Sequence, residues 1–173
     1  MKSTFENCYR MLNRGAEALQ SPFLLLVRLY WGWQFIQTGW GKINNIPKVT
    51  GFFTELGIPF PGLNAHFIAG LEFVGGVLLV LGLASRLIAV PLTINMLVAY
   101  ITADREALLS VISDPDKFYA AAPYTFLVAS LIVLIFGPGK FAVDAWIAWK
   151  RRSNAGHAVD ALCPPSVRNW LWR

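Results

Sequence analysis

Residues 63–84 read Leu63-Asn64-Ala65-His66-Phe67-Ile68-Ala69-Gly70-Leu71-Glu72-Phe73-Val74-Gly75-Gly76-Val77-Leu78-Leu79-Val80-Leu81-Gly82-Leu83-Ala84. The run has the length of a membrane-spanning helix, which takes about 20 residues. Glu72 stands near its middle. A carboxylate there costs about 2.5 kcal/mol or more on membrane-insertion scales, so it must face a protein interior, find a partner or stay protonated. The stretch therefore predicts a membrane helix that contributes to a polar centre.

Three further apolar runs flank it: 22–41, 86–103 and 121–137, the last cut short by Gly137-Pro138-Gly139. A tight turn around Ser85-Arg86 makes the second and third spans an antiparallel hairpin. The expected fold is all-α, an integral membrane four-helix bundle. Amphipathic interfacial helices are expected at the termini and in the outer loops. One domain, 1–152, holds the spans, and 153–173 form a basic cytoplasmic tail.

Composition agrees. The 173 residues are 55% hydrophobic and 14% charged, with a mean hydropathy of +0.49, whereas soluble domains carry about 25% charged residues. The net charge of +5 comes from Lys and Arg near the apolar spans, which fits anionic lipid and the positive-inside rule rather than nucleic acid. Ten of these cations lie in the N-terminal arm, the second turn and the C-terminal tail, against four in the other loops. Both termini are therefore expected in the cytoplasm of a multi-pass protein. Phe5, Met11, Leu12 and Leu19 suit one side of an interfacial helix ahead of the first span. Phe52, Phe53, Leu56 and Ile58 suggest a capping helix in the first outer loop, and Leu108, Leu109, Val111 and Ile112 suggest the same in the second. Phe141, Ala145, Trp146 and Trp149, followed by Lys150-Arg151-Arg152, predict an aromatic-anchored interfacial helix. Cys8 and Cys163 form no CxxC pair and read as free thiols in a reducing compartment.

Polar residues recur at similar depth: Arg28 in span one, Glu72 in span two, Asn95 in span three and Ser130 in span four. By i, i+3, i+4 spacing, Ala65, Ala69, Glu72, Gly75 and Gly76 share one face, and Arg28, Gly32, Phe35, Gly39 and Lys42 share another. Small residues on these faces allow close helix approach. Arg28 and Glu72 are the expected partners, because each leaves the other uncompensated. The pair either fixes helix register or belongs to a ligand, proton or quinone site. Lys42 ends span one, where it can snorkel to the interface. His66 lies at the outer end of span two as a polar edge residue or a proton-entry point. Gln34 and Gln37 stand on roughly the opposite side of span one from Arg28, towards another helix or a second protomer. Asp144, beside the glycine stop, can bond to backbone or to a tail lysine. No metal-ligand cluster, paired heme histidines, GxGxxG or nucleophile elbow is present in the sequence.

Several ordered segments carry a resemblance: Leu24-Leu25-Leu26-Val27-Arg28-Leu29, Gly39-Trp40-Gly41-Lys42, Phe52-Phe53-Thr54-Glu55-Leu56-Gly57-Ile58-Pro59-Phe60-Pro61, Glu72-Phe73-Val74-Gly75-Gly76, Leu81-Gly82-Leu83-Ala84-Ser85-Arg86, Asn95-Met96-Leu97-Val98-Ala99-Tyr100, and Gly137-Pro138-Gly139 with Asp144. Over about 22–149 the chain resembles the DoxX family of small bacterial membrane proteins. The resemblance implies a four-helix protein of the bacterial inner membrane. It also implies a redox connection, since related proteins include a subunit of a thiosulfate:quinone oxidoreductase and others linked to oxidative-stress complexes with soluble partners. Arg28, Lys42, Glu72 and Asn95 match the family's polar signature.

Three functions are open on this reading. The first is a quinone-associated component of a membrane oxidoreductase complex, with Arg28, Lys42, Glu72, Asn95 and His66 as ligand-binding candidates and Glu72 as a proton relay. A soluble redox partner would then carry the flavin, heme or cluster. The second is a membrane scaffold with a structural Arg28–Glu72 pair. The third is a small-solute transporter, which would need a homo-oligomer and lacks an inverted repeat.

Overall fold

In a computed structural model of the chain, residues 2–151 are described, with the side chains of 2–8 and 14 left aside. The tail, Cys163 and the side chain of Cys8 lie outside the described residues. The described residues form seven helices, α1 (Lys2–Ile43), α2 (Ile46–Glu55), α3 (Pro61–Leu81), α4 (Ser85–Thr102), α5 (Arg105–Leu109), α6 (Pro115–Ala120) and α7 (Ala122–Phe136). An eighth, α8, covers 143–151. The fold is an all-helical membrane bundle in which α1, α3, α4 and α7 form the four walls. Neighbours α1 and α3, α3 and α4, α4 and α7, and α7 and α1 pack together. By length and apolar composition α3 and α4 can each cross a membrane, and α7 is a shorter apolar helix.

The first span is not preceded by a separate interfacial helix. Helix α1 runs unbroken through Pro22 for 42 residues. Gly15-Ala16-Glu17-Ala18-Leu19-Gln20 is mostly strong helix formers, so the single donor missing at Pro22 does not stop the helix. The outer loops do hold short helices, with α2 lying against α3 and with α5 and α6 sharing the second loop.

The buried residues of α3 are Ala65, Ala69, Glu72, Gly75, Gly76 and Leu79, the face set by i, i+3, i+4 spacing. On α1 the matching face of Leu24, Arg28, Gly32, Phe35 and Gly39 is buried. Backbone meets backbone where these faces cross. A Cβ on Gly76 would stand 2.7 Å from the Gly32 carbonyl oxygen, and one on Gly39 would overlap the backbone of Phe73. Such contact replaces the hydrophobic drive that lipid cannot supply between helices. Phe35 and Phe126, with ring centroids 4.7 Å apart, join α1 to α7. Thr93 Oγ1 donates to Ser130 Oγ at 3.1 Å between α4 and α7, and Tyr100 Oη donates to the Phe118 carbonyl at 2.8 Å.

The turn between α3 and α4 is closed by a left-handed Gly82 (φ 70°). Leu83 N–H donates to the Leu78 carbonyl and Gly82 N–H to that of Leu79, a Schellman ending. Ala84 also has a positive φ, 49°, which costs a non-glycine residue roughly 1 kcal/mol or more. Asp144 offsets it, accepting from Ala84 N–H at 2.9 Å and Ser85 N–H at 3.1 Å. A carboxylate from the start of α8 thus caps α4 at its positive end.

Candidate functional site

The two buried charges of the spans do not meet. The expected Arg28–Glu72 pair is corrected by the register of α1 on α3. Gly39 lies against Phe73, which places Glu72 about eleven residues along α1 from Arg28, or about 16 Å at helical rise. Neither side chain spans that distance.

Arg28 instead reaches the end of the bundle that carries the α3–α4 turn. Its Nε donates to the Leu79 carbonyl at 2.9 Å and Nη2 to that of Val80 at 3.2 Å. Nη1 donates to Pro138 O at 2.5 Å and Phe141 O at 3.2 Å. The first two acceptors belong to the last turn of α3, where the negative end of the helix dipole favours a cation; the Leu79 carbonyl accepts from Gly82 N–H as well. The rigid five-donor fork of arginine serves several carbonyls at once. Gly82 leaves room for it, since a Cβ there would overlap the guanidinium. Arg28 ties α1, α3 and the Gly137-Pro138-Gly139 segment together.

Glu72 faces the other end. Lys42 Nζ donates to its Oε1 at 2.5 Å and Oε2 at 2.6 Å, and Asn95 Nδ2 donates to Oε1 at 3.0 Å. The Glu72 side chain is 2% exposed while Lys42 is 33% exposed. The triad therefore has a buried acceptor and a donor that reaches towards open space. Lys42 comes one turn after Gly39 on the same face of α1, so its chain folds back to the level of Glu72.

Lys42, Glu72 and Asn95 lie in the wall of a cavity of about 460 Å³ at the end of the bundle beneath α2. The rest of the lining is mainly apolar, including Phe35, Phe53, Ile68, Met96 and Phe126, with Lys48 and Asp104 also contributing. Its size falls within the range of about 300–1,000 Å³ usual for small-molecule sites, and apolar walls with a few convergent polar groups are their usual composition. The lining includes residues that are also exposed at the surface, Phe52 and Val98 among them, so the cavity is open to the outside of the bundle. Thr38 adds a hydroxyl that donates to the Phe35 carbonyl at 3.1 Å and keeps its lone pairs for acceptance.

The cavity gathers three of the sequence candidates, Lys42, Glu72 and Asn95. Arg28 and His66 stand outside its lining. His66 is exposed, with Nδ1 2.7 Å from the Gly62 carbonyl oxygen. Ser130 is buried between α4 and α7 and donates to the Leu127 carbonyl. Asp144 bonds to backbone rather than to a tail lysine. Sequence reasoning missed Lys42 as the partner of Glu72; the available signal was its place on the Gly39 face. It also missed Thr38, Lys48 and Asp104 as lining residues. Among the described residues no group of three His, Cys, Asp or Glu is placed to hold a metal ion.

Comparison with known proteins finds one family and several relatives. A family model described as DoxX matches residues 23–105. An uncharacterized membrane protein of Mycobacterium tuberculosis is 31% identical over 142 residues, covering 78% of this chain and 86% of that relative. A Bacillus subtilis protein named "Putative oxidoreductase CatD" is 29% identical over 130 residues, covering 75% and 90%. An uncharacterized protein of Haemophilus influenzae is 29% identical over 132 residues, covering 72% and 82%. No solved structure matches the chain.

Proposed function

Because the chain belongs to the DoxX family of membrane proteins, we propose that it is the quinone-binding component of a membrane oxidoreductase complex, with the head group seated against Lys42, Glu72 and Asn95. The observation that carries this reading is the 460 Å³ apolar cavity whose polar groups include a hydrogen-bonded Lys42–Glu72–Asn95 triad. The oxidoreductase name borne by the Bacillus subtilis relative supports it.

A quinone held there would supply electron and proton transfer. The chain's own residues prepare for that chemistry. The ammonium of Lys42 has three N–H donors; Glu72 takes two, and the third suits a carbonyl oxygen of the head group. Glu72 holds the ammonium in place and can exchange a proton through it. Asn95 orients the carboxylate. The apolar walls keep water from Glu72, and the open side of the cavity passes an isoprenoid tail to lipid. Electrons come from a soluble redox partner. The protein sits in the bacterial inner membrane with both termini in the cytoplasm, so the cavity faces the outer side. Arg28 and His66 have no part in binding the head group.

The test is quinone content. Full-length protein would be purified in native lipid discs, and bound isoprenoid quinone extracted and quantified. Lys42→Met and Glu72→Gln would be compared with His66→Ala and an unrelated membrane protein of equal size. Near-stoichiometric quinone in the parent and His66→Ala, lost from the other two, is expected. Background quinone in every folded sample overturns the reading and leaves the cavity to another apolar ligand or the protein to a scaffold role.

A further inference from the structure

An exposed apolar stripe on α1 runs from the bundle out along an arm beyond it. Helix α1 is 42 residues long, or ~63 Å at helical rise, about twice the ~30 Å thickness of bilayer hydrocarbon. Every residue from Tyr9 to Gln20 whose side chain is described is exposed, so this part of α1 is an arm beyond the bundle. Tyr9, Leu12, Ala16 and Leu19 follow one another on the arm at spacings of three and four. The same spacing continues without a break through Phe23, Leu26, Tyr30 and Trp33 in the span. All of these are exposed, Leu12 and Leu19 at 67% and 70%. Within the span they stand on the side of α1 away from the Arg28–Gly32–Phe35–Gly39 face that packs into the bundle.

We infer that this stripe is a dimer interface, pairing α1 with α1 of a second copy in parallel. A strict alternation of three and four is the 3.5-residue repeat of a left-handed helix pair, sustained here for more than three heptads. The stripe also constrains what can cover it. Lipid covers the part within the span but cannot follow the arm out of the hydrocarbon. A soluble partner covers the arm but cannot follow the stripe into the membrane. A membrane-anchored helix with an arm of its own does both. A second copy is such a helix, it inserts with the same orientation, and its stripe has the same register. The next position in the repeat, Gln37, is exposed between the exposed Trp33 and Trp40. Its amide both donates and accepts, so two copies satisfy each other across the twofold axis, a role that polar side chains fill between membrane helices.

The experiment is disulfide mapping of the full chain in native membranes, starting from a Cys8→Ser, Cys163→Ser background. Leu12→Cys, Leu19→Cys and, on the opposite side of the arm, Glu17→Cys would be oxidised separately. The expected result is a covalent dimer at Leu12→Cys and Leu19→Cys in several-fold excess over Glu17→Cys. A Leu12→Glu, Leu19→Glu double variant, with helix content checked by circular dichroism, should shift the particle mass in native lipid discs from dimer to monomer. Equal cross-linking at all three positions overturns the proposal, as does a monomeric parent protein in discs. In the monomeric case a co-purifying membrane protein cross-linked at Leu12→Cys would give the stripe to that partner instead. Both readouts are independent of quinone content.

Discussion

Glu72 shows how one side chain can be both costly and well supported. Its carboxylate is buried but accepts two bonds from Lys42 and one from Asn95. The asymmetry of exposure within the pair sets the outcome of mutation. Lys42→Met leaves a buried carboxylate with only an amide for company, and removing one partner of a buried pair costs about 3–5 kcal/mol. Glu72→Gln leaves an ammonium that is already one-third exposed and can swing to water. Thermal unfolding in detergent should therefore show Lys42→Met as the more damaging substitution. The Lys42→Met, Glu72→Met double variant should recover much of the loss, giving a coupling of about 1–3 kcal/mol in the mutant cycle. Equal loss in the two single variants would refute this division of roles. Arg28 is the contrasting residue, since carbonyl dipoles from α3 and from the segment after α7 compensate its charge without any carboxylate bond.

At the scale of elements, the α1–α3 contact positions the site. Gly32 and Gly76 bring the two backbones together, and Gly39 seats on Phe73. Any side chain on Gly39 must push the helices apart, because the obstructing atoms are backbone and cannot rotate away. Gly39→Ala is expected to destabilise by about 1–3 kcal/mol, the usual cost of overpacking, and to draw Lys42 away from Glu72. Gly41→Ala, two residues on, meets nothing within 4 Å and should be neutral or slightly stabilising through helix propensity. Paired melting temperatures and quinone content of the two variants check this: Gly39→Ala should lower both and Gly41→Ala neither. The short helix α2 has a different role. Phe53 is its buried anchor, and α2 forms one wall of the cavity.

The whole molecule has two unlike ends. One carries the arm, the Arg28 carbonyl cluster, the Asp144 cap and α8 with exposed Trp146 and Trp149 and the neighbouring cations Lys140, Lys150 and Arg151. The other carries α2, α5, α6 and the cavity. The proposed orientation puts the arm end in the cytoplasm, and Lys48→Cys at the cavity rim should then react with a membrane-impermeant maleimide added to intact spheroplasts. Lys140→Cys should react only after lysis. Both would be made in the Cys8→Ser, Cys163→Ser background, and the reverse pattern would invert the orientation.

Periodicity and composition alone determined the membrane class, the all-helical fold, the buried faces of α1 and α3, and the short helix over Phe52 and Phe53. Each of these depends on residues close in sequence, where a helix fixes which side chains share a face. The continuity of α1 through Pro22 was hidden because a proline inside a run of helix formers reads as a boundary. The partner of Glu72 was beyond reach for a different reason. A face says which side of a helix is buried but not how far one helix is slid along another, and each residue of slide moves a side chain ~1.5 Å. That slide is set by the contact of Gly32 and Gly39 with Gly76 and Phe73, pairs more than thirty residues apart. Only the tertiary structure therefore separated the two buried charges, sent Arg28 to carbonyls and Glu72 to Lys42, and left a cavity beside the second pair.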